Sequence, residues 1–241
     1  MSKTGVVAIV TCILMTIGRM AAGGDSVPER KQAENASDKA HTAYSRGELD
    51  EALDLWLAYL ESLQDPESAE WGRTLEWIVR SNERLDRPDA ARKYAADWVQ
   101  WARTTGNDSE LTRAISAQAQ AAEELGRMDE ALRLRREAVE IAQSSWASGP
   151  AVALARLRLA EALKAEGIYA DAEVQYGEAL KNLEDNPHAI ENSWILESYA
   201  DLLDRTGRMG EAQSARIRAA TIETEADAEM DASGKWEYTP N

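Results

Sequence analysis

The stretch GELDEALDLW, residues 47–56, has close copies at residues 126–135 (GRMDEALRLR) and 167–176 (GIYADAEVQY), and a fourth copy, GRMGEAQSAR, starts at Gly207. The glycines that open these copies are separated by 79, 41 and 40 residues. Because the first gap is twice the others, a degenerate copy is expected near residue 86, and DRPDAARKYA begins there with Asp in place of Gly. Asp tolerates the left-handed conformation better than most residues do. The chain therefore carries five repeats of about 40 residues.

Each repeat reads as two helices around its opening residue, which we call the marker. Small residues, with Val in the second repeat, stand seven positions before and five positions after the markers: Ala40, Val79, Ala119, Ala160 and Ala200, then Ala52, Ala91, Ala131, Ala172 and Ala212. Small side chains at both positions allow the first and second helix of a repeat to approach closely. A left-handed cap at the marker ends the first helix, and acidic residues after it favour the start of the second. Such pairs bury their apolar faces by stacking, which predicts an α-solenoid.

The starts of the first helices carry capping signals. Three of them combine an N-cap with Pro at the first helical position, and a fourth has an acidic N-cap. These predicted starts are Asp65-Pro66, Gly149-Pro150, Asn186-Pro187 and Asp108.

This pattern resembles the tetratricopeptide repeat. The second-helix signature is matched at Gly47, Leu49, Ala52, Trp56 and Leu60, and most fully at Gly167, Tyr169, Ala172, Tyr176, Ala179 and Leu180. The period exceeds the usual value of about 34 residues, as in the long repeats of kinesin light chains, and Arg135 and Arg216 replace the aromatic residue. The resemblance implies an all-α fold: an α-solenoid of about five helix-turn-helix repeats wound as a right-handed superhelix.

The N-terminus has the pattern of an export signal. Lys3 precedes an uncharged apolar run at residues 5–18, and the small residues Ala21 and Gly23 follow. We expect an exported protein, periplasmic or extracellular, or a membrane-anchored one if this segment is retained. The predicted organisation is a signal peptide or N-terminal anchor at 1–23, a linker at 24–31, a solenoid at 32–230 (repeats about 32–65, 66–105, 106–147, 148–185 and 186–230) and a C-terminal tail at 231–241.

Composition disfavours several classes of function. The chain has 43 acidic and 27 basic residues and a net charge of -16, which disfavours binding to nucleic acids and to anionic membranes. Cys12, the only cysteine, lies in the export segment. No HExxH, GxSxG, CxxC or phosphate-loop pattern is present, and the paired carboxylates Glu123-Glu124 and Asp129-Glu130 are typical of a solvated helix face. We therefore predict no catalysis, no metal and no cofactor.

Tryptophan is unusually frequent, with eight Trp and no Phe. Four of them, Trp71, Trp77, Trp98 and Trp101, fall in the second repeat. The helical spacing favours a role in the core, with an exposed binding patch as the alternative. Under that alternative, Trp98 and Trp101 are the best candidates for exposure.

The resemblance implies that the first helices line a concave surface that holds peptide ligands. Carried over to this chain, it implicates His41, Tyr44, Arg73, Arg80, Glu83, Arg113, Gln120, Glu123, Glu161, Lys164, Glu197, Asp201 and Asp204. Arg73, Arg80 and Arg113 suggest that an acidic or C-terminal segment of a partner docks there. The alternative is that these three arginines are surface charges paired with neighbouring glutamates.

The predicted function is protein–protein interaction by an exported scaffold or adaptor. One alternative is a membrane-tethered structural organiser of an envelope complex. Another is a small-molecule binder or enzyme that uses a pocket near the first two repeats. The acidic run at residues 221–231 is expected to extend the last helix as a polar cap. The tail with Trp236 and Tyr238 could be disordered, fold back or act as a linear motif.

Overall fold

The structure is a computed structural model that describes residues 27–146, 149–183 and 190–233. Ten helices and no strands are found in these ranges: α1 (Val27–Arg46), α2 (Leu49–Ser62), α3 (Ala69–Arg84), α4 (Pro88–Thr105), α5 (Asp108–Glu124), α6 (Met128–Trp146), α7 (Pro150–Ala165), α8 (Tyr169–Lys181), α9 (Ile190–Arg205) and α10 (Met209–Ser233). Each helix packs against the next, and the α8–α9 contact is smaller than most of the others. Odd-numbered helices are the first helices and even-numbered helices the second helices of five repeats, as predicted.

The turn inside each repeat has the same hydrogen bonding in all five copies. In the third repeat, Gly126 N donates to the Glu123 carbonyl at 2.9 Å and Arg127 N to the Ala122 carbonyl at 2.8 Å. The second repeat has equivalent bonds at 3.1 and 2.9 Å, although its marker is Asp86. Asp86 has φ 54°, and it is the only residue other than glycine with positive φ among the described residues. The degenerate copy expected from the spacing is therefore confirmed.

The ten small residues that flank the markers are all buried in the structure. The Ala residues at these positions have no exposed surface and Val79 has 1%. Their small side chains allow the two helices of each repeat to pack closely. One turn further along the second helix, Trp56 in the first repeat and Tyr176 in the fourth fill the space beside the helix pair and are almost fully buried.

The predicted helix starts are only partly correct. Gly149 caps α7 and Pro150 follows at the first position, as predicted. The Asp65-Pro66 prediction is wrong, because the Asp65 carboxylate and carbonyl accept hydrogen bonds within a turn, and Ser68 caps α3 instead. Asn107, one residue before the predicted Asp108, caps α5 by accepting from Glu110 N at 3.1 Å. Asn186-Pro187 lies outside the described residues.

Helix α1 begins at Val27, inside the predicted linker at 24–31. A proline at the second position is compatible with a helix start there. The predicted export segment at 1–23 and the tail residues 234–241 lie outside the described residues. Within the described ranges, no helix is both long enough and apolar enough to span a membrane.

The tryptophans of the second repeat support the core interpretation. Trp98 and Trp101 are exposed by only 3% and 8%, so their selection as exposed candidates is wrong. Trp98 Nε1 donates to the Glu110 carboxylate at 3.1 Å, and its ring lies below the Arg113 guanidinium. Trp101 packs against buried Gly72 of α3, and a Cβ at that glycine would overlap the indole ring. Trp101 is therefore buried because the facing helix has no side chain at this point.

Candidate functional site

One contact recurs in the last three repeats, between the third residue before the marker and the ninth residue after it. In the third repeat Glu123 pairs with Arg135 at 2.9 Å, and in the fifth Asp204 pairs with Arg216 at 2.6 Å. In the fourth repeat the Lys164 ammonium lies 5.8 Å from the Tyr176 ring. The basic residues that replace the aromatic are therefore matched by an acid on the preceding helix.

Arg135 is a nearly buried cation, with 5% of its surface exposed. It donates from Nε and one terminal nitrogen to the two carboxylate oxygens of Glu123, at 2.9 and 3.2 Å. Its other terminal nitrogen donates to the Ser116 carbonyl at 3.3 Å. A guanidinium has five N–H groups, so two remain without a partner within the described part of the chain. Arg135 therefore keeps donor capacity beyond its contacts within the chain.

Arg135 also lines a pocket between α5 and α7, the first helices of the third and fourth repeats. The pocket has a volume of about 530 Å³ and is lined by Gln120, Glu123, Met128, Arg135, Arg158, Glu161, Ala162 and Ala165. Two guanidinium groups and two carboxylates stand beside an apolar patch of two alanines and one methionine. The pocket thus offers hydrogen-bond donors, acceptors and a small apolar surface, with the charges balanced.

Two of the polar side chains at this pocket are exposed and weakly held. Arg158 donates to Glu161 at 2.9 Å one helical turn away, and its side chain is 56% exposed. Gln120 donates to the Glu124 carboxylate at 3.3 Å. Exposed pairs on one helix are worth only about 0.3–0.5 kcal/mol. A ligand can therefore replace these contacts at small cost.

A hydrogen-bond network links the pocket to the fifth repeat. Ser198 of α9 donates to Glu161 at 3.3 Å, accepts from the Lys164 ammonium at 3.0 Å and is bonded to the Tyr176 hydroxyl at 2.8 Å. Burial lowers the pKa of Lys164, while Asp201 and Glu161 oppose that change. Burial also raises the pKa of Tyr176 to about 12. The network positions α9 beside the pocket.

The three arginines proposed for an acidic partner all have carboxylate partners within the chain. Arg73 pairs with Glu70 at 2.6 Å and Arg80 with Glu76 at 2.7 Å. Arg113 pairs with Glu110 at 2.8 Å and also contacts Glu76. Glu76 is buried and receives both Arg80 and Arg113, so it joins α3 to α5. An acidic ligand would have to displace these carboxylates.

Glu83 differs from its counterparts in the other repeats. Its position corresponds to Glu123 and Asp204, but the residue opposite it on the second helix is Ala95 instead of Arg. Burial raises the pKa of the Glu83 carboxyl above its ordinary value, repulsion from Glu124 raises it further, and Arg80 partly opposes both. Glu83 is therefore an acid in the predicted surface that lacks the second-helix arginine of its counterparts.

His41 and Tyr44 belong to an aromatic cluster between the first two repeats. The His41 ring lies edge-on to Trp56 and Trp77, with both centroid distances 4.7 Å. Tyr44 contacts Trp77 at 5.1 Å, and the Arg84 guanidinium lies 4.6 Å above the Tyr44 ring. These aromatic side chains pack mainly against one another and stabilise the junction between the two repeats.

The acids predicted on the fifth repeat fall into two groups. Arg216 donates to both Asp201, at 3.2 Å, and Asp204, at 2.6 Å. Glu197 is exposed, and no hydrogen bond or ion pair to it is found within the described ranges. Trp194, one turn earlier, is 48% exposed.

Across the described residues, no group of acidic, histidine or cysteine side chains could hold a metal ion.

The predicted residues therefore do not form a single site. The structure brings Gln120, Glu123 and Glu161 together in the pocket, with Lys164 beside it, and separates them from the aromatic cluster at His41 and Tyr44. Sequence reasoning missed the pocket residues Met128, Arg135, Arg158, Ala162 and Ala165, and it missed the exposed Trp194. The signal for Arg135 was present, because a basic residue at the aromatic position required an acidic partner. For Arg158 and the alanines the repeat pattern contains no comparable signal.

Comparison with solved structures identifies the fold. BtubC (BKLC) from P. vanneervenii has a TM-score of 0.67 and 17% identity, covering 90% of this chain and 95% of that protein. A putative kinesin light chain of Podosopora anserina, with nearly identical TPR-like repeats, has a TM-score of 0.67 and 16% identity, covering 84% of this chain and 99% of that protein. YrrB, described as a TPR protein with an unusual peptide-binding site, has a TM-score of 0.50 and 15% identity, covering 87% of this chain and 92% of that protein.

Neither the comparison with protein-family models nor that with curated proteins gives a match. Identities of this size establish the fold alone. The chain has the tetratricopeptide-like fold, an all-α solenoid of five helix-turn-helix repeats, with a putative kinesin light chain among its structural neighbours.

Proposed function

We propose that this chain is a non-catalytic interaction protein that holds an extended segment of a partner protein at the pocket between the third and fourth repeats. The observation that carries the proposal is the lining of this pocket. Arg135 and Arg158 supply N–H donors and Glu161 supplies acceptors, beside the apolar patch of Ala162 and Ala165. Each residue of a peptide backbone offers one donor and one acceptor, so an extended chain matches this mixture.

The position of the pocket supports the same function. It lies between first helices, which line the ligand-binding surface in the family that the sequence resembles. YrrB, a structural neighbour, is described as having a peptide-binding site. The floor of small residues permits close approach of a backbone, and the nearly buried Arg135 is held rigidly by Glu123. A rigid donor lowers the ordering cost of binding.

The chain is also proposed to act outside the cytosol. The basic residue, apolar run and small residues at positions 1–23 support export. Intact-mass measurement of protein isolated from its native host tests this point. A mass lower by that of about 23 residues supports cleavage, and the full mass supports retention of the segment as an anchor.

An acidic or C-terminal segment that binds at Arg73, Arg80 and Arg113 is the alternative placement of the partner. It is less favoured because Arg80 and Arg113 both hold the buried Glu76, which an acidic ligand would have to displace. Reversing all three charges would abolish binding under this alternative. The same substitution should weaken binding only slightly if the pocket is the site.

Binding measurements with a purified partner test the proposed site. The partner is identified by affinity capture from the native compartment, and its Kd is then measured by calorimetry. Arg158→Glu should weaken binding at least about tenfold, because loss of a charged contact is worth about 1.5–3 kcal/mol. Arg133→Glu is the matched control, since it reverses an exposed arginine on the second helix α6. Equal affinities of the two variants would contradict the proposed site.

A further inference from the structure

We infer that the partner segment carries a lysine or arginine side chain that docks on α9, against Trp194 and Glu197. The inference rests on the proposed function, because it extends the proposed binding surface from the pocket into the fifth repeat. It also gives the partner a chemistry opposite to that suggested by the arginines of the second and third repeats.

Trp194 is the first observation. It is 48% exposed, whereas Trp56, Trp98 and Trp101 are buried. The equivalent positions of the second and third repeats hold Arg73 and Arg113, whose long side chains are solvated and ion-paired. A large exposed indole has no such solvation, and Trp is enriched among the residues that dominate binding energy at protein interfaces.

The charges beside Trp194 give the second observation. Glu197 and Asp201 follow it by three and seven residues, so all three lie on one face of α9. Asp201 is held by Arg216, but Glu197 has no such partner among the described residues. The exposed cation Arg205 follows Asp201 by one turn. The uncompensated negative charge is therefore at the Trp194 end of this face.

A cation is the ligand that uses both features. An ammonium or guanidinium group within about 6 Å of an indole face gains a cation–π interaction, and Trp is the best partner for it. The same group can pair with a carboxylate one helical turn away. An acidic side chain would be repelled by Glu197, and a purely apolar one would leave Glu197 unused. Charge complementarity thus selects a basic side chain.

The docking face is continuous with the proposed binding pocket. Ser198 lies on the same side of α9, between Glu197 and Asp201, and donates to Glu161, which lines the pocket. Lys164 of α7 donates to the Ser198 hydroxyl and carbonyl at 3.0 and 3.1 Å. This bonding holds α9 beside α7. One extended segment can therefore contact the pocket and then place its basic side chain on α9.

The test uses three defined tripeptide probes with the full-length chain: Ac-Ala-Lys-Ala-NH₂, its norleucine counterpart, which is an uncharged isostere, and its glutamate counterpart. Each is titrated while the indole N–H resonances are followed by NMR, and the signal of Trp194 is assigned by comparison with Trp194→Phe. The lysine probe should shift this signal saturably and bind about fivefold more tightly than the norleucine probe. Glu197→Gln should reduce this preference, because only the cation–π contact with Trp194 then remains, whereas Glu223→Gln, a change of an exposed acid on α10, should leave it unchanged.

Equal affinity for lysine and norleucine, preference for glutamate, or no saturable shift at Trp194 would each overturn the inference. So would a lysine preference that Glu197→Gln leaves unchanged. None of these results bears on the pocket, which is judged by the affinity of the whole partner for the Arg158→Glu chain. Failure of the basic docking face and failure of the proposed function are therefore distinguishable.

Discussion

Arg135 and Glu123 form a two-point ion pair at the position where the fourth repeat has Tyr176 packed below Lys164. The pair replaces a bulky aromatic side chain with two charged groups that satisfy each other. Arg135 is nearly buried, while the Glu123 side chain is 28% exposed. The third repeat thus keeps its helices together by a polar contact, and the same contact forms one wall of the pocket.

Removing one partner of this pair should destabilise the fold. Arg135→Met leaves the Glu123 carboxylate and the Ser116 carbonyl without their donor, which should lower the free energy of unfolding by about 1–3 kcal/mol. Replacing both partners, in Glu123→Leu with Arg135→Met, should recover much of that loss, because the unpaired acid is gone. Urea denaturation of the three proteins measures this. A double variant no more stable than the single one would show that the ion pair is not the cause.

Glu83 should make stability depend on pH. Its pKa is raised in the folded state, so folding favours the protonated carboxyl. The stability that this carboxyl contributes is therefore fully present below its ordinary pKa of 4.5, and it is lost as pH rises through the raised pKa. Glu83→Gln should therefore have a higher Tm than the unsubstituted chain at pH 7, and the difference should shrink towards zero at pH 4. Thermal melts at the two pH values measure it. A difference that is the same at both would rule out the carboxyl as its source.

Gly72 should not tolerate alanine, although alanine is the better helix former. A Cβ at this position would overlap the ring of Trp101, which is only 8% exposed and cannot easily move. Overpacking costs about 1–3 kcal/mol, whereas the higher helix propensity of alanine stabilises by at most about 1 kcal/mol. The net result should be a less stable protein. Gly177→Ala on α8 is the matched control, because nothing lies within 4 Å of its Cβ position, and it should stabilise by about 0.5–1 kcal/mol.

Asp86 is the marker that departs from glycine, and it has a φ of 54°. The left-handed conformation costs an L-residue about 1–2 kcal/mol, and glycine avoids this cost. Part of the gain is offset because glycine has greater conformational freedom in the unfolded chain. Asp86→Gly should therefore raise the free energy of unfolding by about 0.5–1 kcal/mol. The reverse change, Gly126→Asp, should lower it. Denaturant titration of both decides the point, and a destabilised Asp86→Gly would mean that the carboxylate itself supports the turn.

The repeat architecture was predictable because its determinants are local. The marker turn depends on a few consecutive residues, and close packing depends on small residues at fixed distances from it, so even the copy at Asp86 could be located by counting. Helix starts were less certain, because Asp65 and Ser68 are both plausible caps and the choice depends on how the turn between them folds.

The site was predictable only in part because exposure depends on neighbouring helices. Trp98 and Trp101 lie on one helical face in the sequence, but Gly72 on α3 and Glu110 on α5 determine that this face is buried. Likewise, Arg73, Arg80 and Arg113 look available in the sequence, and the carboxylate that Arg80 and Arg113 share emerges only when α3 and α5 pack together. The pocket is formed by two repeats, so no single repeat contains its pattern.

Site-specific photo-crosslinking in the native host tests the central claim most directly. A photoreactive benzoyl-phenylalanine is placed at Gln120, which lines the pocket, or at Val174, which is 59% exposed on the second helix α8 and does not line it. The account predicts that Gln120 forms a discrete cross-link to one partner protein, that Val174 does not, and that Arg158→Glu abolishes the Gln120 cross-link. Cross-linking of that partner at Val174 but not at Gln120, or a Gln120 cross-link unaffected by Arg158→Glu, would contradict it.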